Sequence, residues 1–181
     1  MTMTRATFQE LLQAQRDRVY SYALYVLQNR EDAEDVAQET FVRTWQRCTA
    51  TEERAMVAFL HRTAHNLCID AIRRRRRASL RIVDPEAVDV ETIAGPRNTT
   101  DDPELKLLLG DERRVLLTAL AELSAEDRSY MVLHYFQGLT FREIAEASGG
   151  NTSTVKVRVH RSRRKLRNAL SELNPARAQE G

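Results

Sequence analysis

The stretch TFREIAEASGGNTSTVKVRVHRSRRKLRNAL, residues 140–170, decides how the rest of the chain is read. Thr140 stands three residues before Glu143, so its hydroxyl caps the Glu143 amide while the carboxylate reaches back to Thr140, and a helix starts there. Ile144 and Ala145 supply an inward face, and the Gly149-Gly150 pair ends the helix because glycine takes positive φ without a Cβ clash. Asn151 offers the next N-cap. Val155, Val159, Ser162, Leu166 and Leu170 then recur every three or four residues, which marks one buried stripe on a second helix. Two short helices about a tight turn form a helix-turn-helix.

The second helix is unusually basic. Between Thr152 and Leu170 stand seven cationic side chains, Lys156, Arg158, Arg161, Arg163, Arg164, Lys165 and Arg167, and no acidic one. That excess wants a polyanion. In a helix-turn-helix the second helix enters the major groove with its first turns at the base edges, which nominates Thr152, Ser153, Lys156, Val157, His160 and Arg161, while the later arginines such as Arg164 grip phosphates and Arg158 is counted with the DNA-binding set.

Outward from this motif, 181 residues with 42% hydrophobic and 30% charged content describe a soluble globular chain of one large or two small domains. No apolar run approaches the roughly 18 residues of a membrane span, and the start carries no signal-peptide core, so a cytoplasmic protein is expected. Cys48 and Cys68 fall inside helical patterns rather than in a disulfide framework. Leu, Ala, Arg and Glu dominate and strand-like alternation is absent, which predicts an all-α fold. Charge divides the chain in three. Residues 1–83 carry 14 basic and 10 acidic side chains, residues 84–103 carry one and six, and residues 104–181 carry 13 and 10. The middle stretch also holds Pro85, Gly95, Pro96 and Pro103 and reads as an acidic flexible linker between two small helical domains, the C-terminal one bearing the helix-turn-helix.

Residues 1–84 contain neither glycine nor proline, so helices should fill them. The first carries Phe8, Leu11, Leu12, Val19, Ala23, Val26 and Leu27 inward and runs to about Gln28. The second starts near Arg30 with Glu31, Asp32, Glu34 and Asp35, acids that suit the positive end of a helix dipole. Its inward stripe is Ala33, Val36, Ala37, Thr40, Phe41, Thr44, Trp45 and Cys48. The opposite face, with Asp35, Gln38 and Glu39, reads from spacing alone as solvated surface. A third helix turns Val57, Leu60, Ala64, Leu67 and Ala71 inward and Arg62, His65, Asn66 and Asp70 outward. It ends in Arg73, Arg74, Arg75, Arg76 and Arg77, a run suited to phosphates. His61, His65 and Cys68 lie on one helical face, but three ligands with no fourth do not make a zinc site, and no metal or other cofactor is expected. Beyond the linker, Asp102-Pro103 opens a helix with Leu105, Leu108, Leu109, Leu116 and Leu120 inward, and Ser124 with Asp127 opens another before Gly138. Residues 175–181 read as a tail.

With both halves in view, the chain resembles the extracytoplasmic-function (ECF) sigma factors of the bacterial sigma-70 family. Asp32-Ala33-Glu34-Asp35-Val36-Ala37-Gln38-Glu39-Thr40-Phe41 resembles the family's core-polymerase-binding segment. Asn66-Leu67-Cys68-Ile69-Asp70-Ala71 with the arginines after it resembles the −10 reader, and Gly138 to Glu146 with Thr154 to Arg161 resembles the −35 reader. The resemblance implies a sigma domain two over residues 1–83, a linker over 84–103 and a sigma domain four over 104–174. It turns the Asp35, Gln38 and Glu39 face into an interface for the clamp helices of polymerase β′, with further contact to the β subunit. It gives Asn66 an unstacked base of the −10 element, and Arg62 and Arg73 to Arg77 the backbone. Phe59 stands where the family usually has tryptophan, Glu52 and Glu53 replace a glycine-containing segment, and Ser148, Gly150 and Val157 depart from the usual −35 reader.

The same resemblance implies a monomeric, non-enzymatic promoter-specificity subunit with core polymerase, promoter DNA and an anti-sigma factor as partners. No nucleotide-binding glycine loop and no catalytic dyad argues for an enzyme. Two rivals fit parts of the pattern: a conventional operator-binding regulator with an N-terminal dimerisation or sensor domain, and a sigma-like decoy that occupies polymerase without opening promoters.

Overall fold

The computed structural model describes the backbone of residues 5–47, 53–82 and 111–173, and the side chains of 8–47, 55–78 and 113–172. These residues form seven helices and no strand: α1 Arg5–Leu27, α2 Arg30–Gln46, α3 Glu53–Ile82, α4 Asp111–Ala121, α5 Ala125–Tyr135, α6 Phe141–Ser148 and α7 Thr152–Leu173. The expected acidic linker, the Asp102-Pro103 helix start with Leu105, Leu108 and Leu109, Cys48, Glu52 and the tail lie outside the described residues.

The first three helices pack mutually, α1 on α2 and α3 and α2 on α3. Val19, Tyr22, Ala23 and Val26 keep the i, i+3, i+4, i+7 spacing and are all buried. Thr40 and Thr44 reach full burial on α2 because each hydroxyl donates to the carbonyl four residues back, Val36 at 2.6 Å and Thr40 at 2.7 Å. Asn29 caps α2 by accepting from the Asp32 amide at 2.8 Å. Trp45 departs from its expected inward place: it is 46% exposed and tilts over Phe8 with centroids 4.8 Å apart.

In the second half α7 packs on α4, α5 and α6. The two halves also pack on each other, α6 and α5 against α3 and α5 against α1, so Leu60, Ala64, Leu133, Ile144 and Val155 belong to one continuous apolar cluster. Polar side chains cross this seam. Gln28, in the left-handed region at φ 53 where α1 ends, donates its amide to the Leu117 carbonyl at 2.5 Å. Arg18 and Gln137 exchange three bonds: Arg18 Nε to Gln137 Oε1 at 3.2 Å, Arg18 Nη2 to the Gln137 carbonyl at 2.7 Å, and Gln137 Nε2 to the Arg18 carbonyl at 2.9 Å.

Candidate nucleic-acid interface

The turn chemistry read from the sequence is present in detail. Thr140 Oγ1 accepts from the Glu143 amide at 3.2 Å and Glu143 Oε2 accepts from the Thr140 amide at 2.9 Å, a complete capping box. Gly149 ends α6 at φ 69, where a Cβ would be strained. Asn151 Oδ1 accepts from the Ser153 amide at 2.8 Å and starts α7. His134 stacks on Phe141, centroids 4.5 Å apart, and its Nδ1 meets the Leu139 carbonyl at 2.8 Å, which holds the approach to α6.

On α7, Val155, Val159, Ser162 and Ala169 are buried, while Thr152, Ser153, Lys156, Val157, His160, Arg161 and Arg164 are exposed together. At 3.6 residues per turn, Ser153, Val157, His160 and Arg164 share the outward stripe, with Lys156 and Arg161 on its flanks. The result is a cationic helix presented to solvent along its length. Arg158, counted with the DNA-binding set from the sequence, is not presented with the other cations. It lies on another side of α7 and is held by Glu126 at 2.5 Å and Asp127 at 2.6 Å.

A second basic surface runs along α3. Arg62 and Asn66, one turn apart, are exposed on one face, followed by Asp70 and Arg73, whose charges lie 3.6 Å apart. Arg74, Arg76 and Arg77 are exposed. Arg75 differs: it turns back to pair with Asp32 on α2 and is 29% exposed, so the run of five arginines does not present five equal cations. Arg62 also lines an open cleft of about 1240 Å³ between α3 and α6, with Arg18, Phe59, His61, Arg142 and Glu143.

His65, expected outward beside Asn66, faces inward instead. Its Nδ1 lies 2.8 Å from Ser129 Oγ, and Ser129 Oγ lies 2.6 Å from the Tyr22 hydroxyl, a buried network across the seam. Burial pushes His65 down to about 4, helped by Arg73, with Glu126 opposing. Burial lowers His61 to about 4 as well, aided by Arg18 and opposed by Glu143. Cys68 is fully buried and burial raises its thiol well above the ordinary range, which keeps it protonated and poorly nucleophilic. His61, His65 and Cys68 thus serve packing and the seam.

The third surface is the outer face of α2, where Asp35 and Gln38 are exposed and Glu39 accepts from Arg43 Nε at 2.6 Å. With Glu31 and Glu34 also exposed, this face is acidic and lies on a different helix from both basic surfaces. Sequence reading missed Gln28, Arg128 and Gln137 as seam residues. No periodic signal marks a polar side chain that is buried by a segment some hundred residues away.

Comparison with known proteins agrees with this arrangement. The family Sigma-70 region 2 matches residues 11–78, and Sigma-70, region 4 matches residues 113–166. The ECF RNA polymerase sigma factor SigE of Mycolicibacterium smegmatis is 34% identical over 175 residues, which is 96% of this chain and 65% of that protein. SigW of Bacillus subtilis, also an ECF RNA polymerase sigma factor, is 29% identical over 92% of this chain and 90% of its own length. Among solved structures, the sigma factor RpoE in complex with the anti-sigma factor NepR from Bartonella quintana superposes with TM-score 0.67 at 22% identity. That match covers 91% of this chain and 96% of RpoE. CnrH in complex with the cytosolic domain of CnrY superposes with TM-score 0.65 at 23% identity, over 93% of this chain and 90% of CnrH. The two matched regions stand in the family's order and take in all three surfaces, so the chain belongs to the ECF sigma factors of the sigma-70 family.

Proposed function

We propose that the chain is a promoter-specificity subunit: it binds core RNA polymerase and directs initiation at promoters with −10 and −35 elements. The observation that carries this is one chain with an exposed cationic helix-turn-helix, a second basic surface on α3 and an acidic face on α2. The subunit does no bond chemistry itself.

Residues 1–83 act as sigma domain two. Asp35, Gln38 and Glu39 dock on the clamp helices of polymerase β′, Asn66 takes an unstacked base of the −10 element, and Arg62 with Arg73, Arg74, Arg76 and Arg77 holds backbone phosphates. Residues 104–174 act as sigma domain four, where Thr152, Ser153, Lys156, His160 and Arg161 read the −35 element and Arg164 grips phosphate. Residues 84–103 link them, and residues 175–181 form a tail. Tethering two modest DNA contacts on one chain raises affinity through effective concentration, with polymerase setting their separation. The β subunit, core polymerase as a whole and promoter DNA place the protein's work in the cytoplasm; among the described residues no helix is long and apolar enough to cross a membrane. Two solved structures of the same fold carry a bound protein, the anti-sigma factor NepR on RpoE and the cytosolic domain of CnrY on CnrH, which supports an anti-sigma partner here.

The test is run-off transcription from a genomic fragment pool with bacterial core polymerase, with and without the chain. New start sites preceded by a shared pair of motifs are expected, and D35A with Q38A should reduce them by at least tenfold. Polymerase binding without new transcripts would make the chain a decoy. DNA binding without polymerase association would restore the operator-binding regulator.

A further inference from the structure

Six of the seven cations on α7 are exposed, and the seventh, Arg158, is tied down. Its Nε donates to Asp127 Oδ1 at 2.6 Å and its Nη1 to Glu126 Oε2 at 2.5 Å. The guanidinium carbon stands 5.2 Å from the centre of the Tyr130 ring. All three partners lie in the first turns of α5, whose N-terminus is capped by Ser124 accepting from the Asp127 amide at 3.2 Å. The pair is part-buried, with Arg158 29% and Asp127 22% exposed.

Helical geometry places Arg158 roughly 140–160° around α7 from Ser153, Lys156 and His160, so it cannot enter the groove with them. The stripe beneath it, Val155, Val159, Ser162 and Ala169 with Leu166 partly buried, fixes which side of α7 turns inward, but contact of mostly apolar groups is not directional and leaves the fine rotation loosely set. Two charge-assisted bonds and a ring contact are directional.

We propose that Arg158 is a positioning residue for promoter reading: by clamping α7 to the first turn of α5 it sets the rotation of α7 about its own axis, and thereby decides which side chains meet the base edges. The carboxylates of Glu126 and Asp127 are part of the same device, although neither lies on α7. This rests on the reading of α6 and α7 as the −35 reader.

The test uses holoenzyme reconstituted from core polymerase and the full chain, and a promoter pool randomised across the −35 element. Bound sequences are recovered and affinity is followed against salt. The informative variant is E126Q/D127N, which leaves every cation and every base-facing side chain of α7 in place. It should flatten the −35 preference by about tenfold, the scale of one misplaced base contact, while the salt slope stays the same or steepens by about one phosphate as Arg158 is released. R158A should lose the same preference with an unchanged salt slope, and R158K, which retains the charge on a less directional group, should recover part of it. If R158A instead lowers the salt slope by about one phosphate and E126Q/D127N keeps the full preference, Arg158 is an ordinary backbone contact and the proposal fails. Loss of thermal stability with the −35 preference intact would also overturn it, leaving a fold contact only. A wild-type holoenzyme with no −35 preference would overturn the sigma reading itself, and this proposal with it.

Discussion

His65 stands next to Asn66 in sequence, yet the two do opposite work: Asn66 faces solvent and His65 is 5% exposed against Tyr22 and Ser129. A histidine at the edge of an apolar stripe can face either way, because the ring is apolar in body and polar at its nitrogens. Ser129, 64 residues away, decides the matter. Both His65 and His61 have folded-state values near 4, below the ordinary 6.5, so between these limits the unfolded chain binds more protons than the folded one. Stability is therefore complete above about pH 6.5 and is lost as pH falls toward 4, by about 1.4 kcal/mol per pH unit for each histidine. Urea midpoints measured from pH 7.5 to 4.5 should show this slope, and H65Q, which keeps a polar group for Ser129 without the titration, should remove about half of it. An H65Q slope equal to that of the wild type would show that His65 does not titrate in this way.

At the scale of the element, apolar packing holds the seven helices together, and the helix ends decide where each one stops. Capping boxes and glycines are local, so the limits of α6 and the start of α7 were legible from residues 140–151. The ends of α1 and α4 are closed differently. Arg128, 6% exposed on α5, donates Nη1 to the Val26 carbonyl at 2.9 Å and Nη2 to the carbonyls of Ala121 and Leu123 at 3.3 Å each. One guanidinium thus satisfies carbonyls left over at two helix C-termini, where a positive charge is also favoured by the dipole. Burial lowers its value to about 10, which leaves it charged at neutral pH. R128A should cost roughly 2–4 kcal/mol, since the carbonyls lose a charged donor inside the protein; R128K should recover less than half. Chemical denaturation measures both, and a loss below about 1 kcal/mol would mean that water replaces the guanidinium without difficulty.

At the scale of the whole molecule, the two halves share one apolar cluster, and the arginine-rich α3 packs directly beneath α6. A compact chain of this length has a radius of gyration of about 16 Å. DNA elements centred roughly 25 base pairs apart are separated by about 85 Å at 3.4 Å per pair. The packed form does not reach across that distance, so a sigma role requires the seam of Tyr22, His65, Ser129, Arg18 and Gln137 to open on polymerase. Donor and acceptor labels at Gln46 on α2 and Arg163 on α7, both exposed, should transfer energy efficiently in the free chain and lose that transfer on adding core polymerase. Transfer that is unchanged in an active holoenzyme would show that the seam stays shut.

The sequence by itself determined the all-helical class, the helix-turn-helix with its caps, the cationic face of α7 and the acidic face of α2. These rest on interactions within a few residues, where a 3.6-residue period and a capping pair are sufficient. Only the tertiary structure decided that His65 turns inward, that Arg75 is paired with Asp32, that Gln28 takes positive φ to reach Leu117, and that Arg158 is a clamp rather than a free cation. The physical reason is the same each time. Periodicity says which side of a helix is apolar, but the partner of a polar group at the edge of that side comes from a segment 31 to 119 residues away, and only folding brings the two within hydrogen-bond reach.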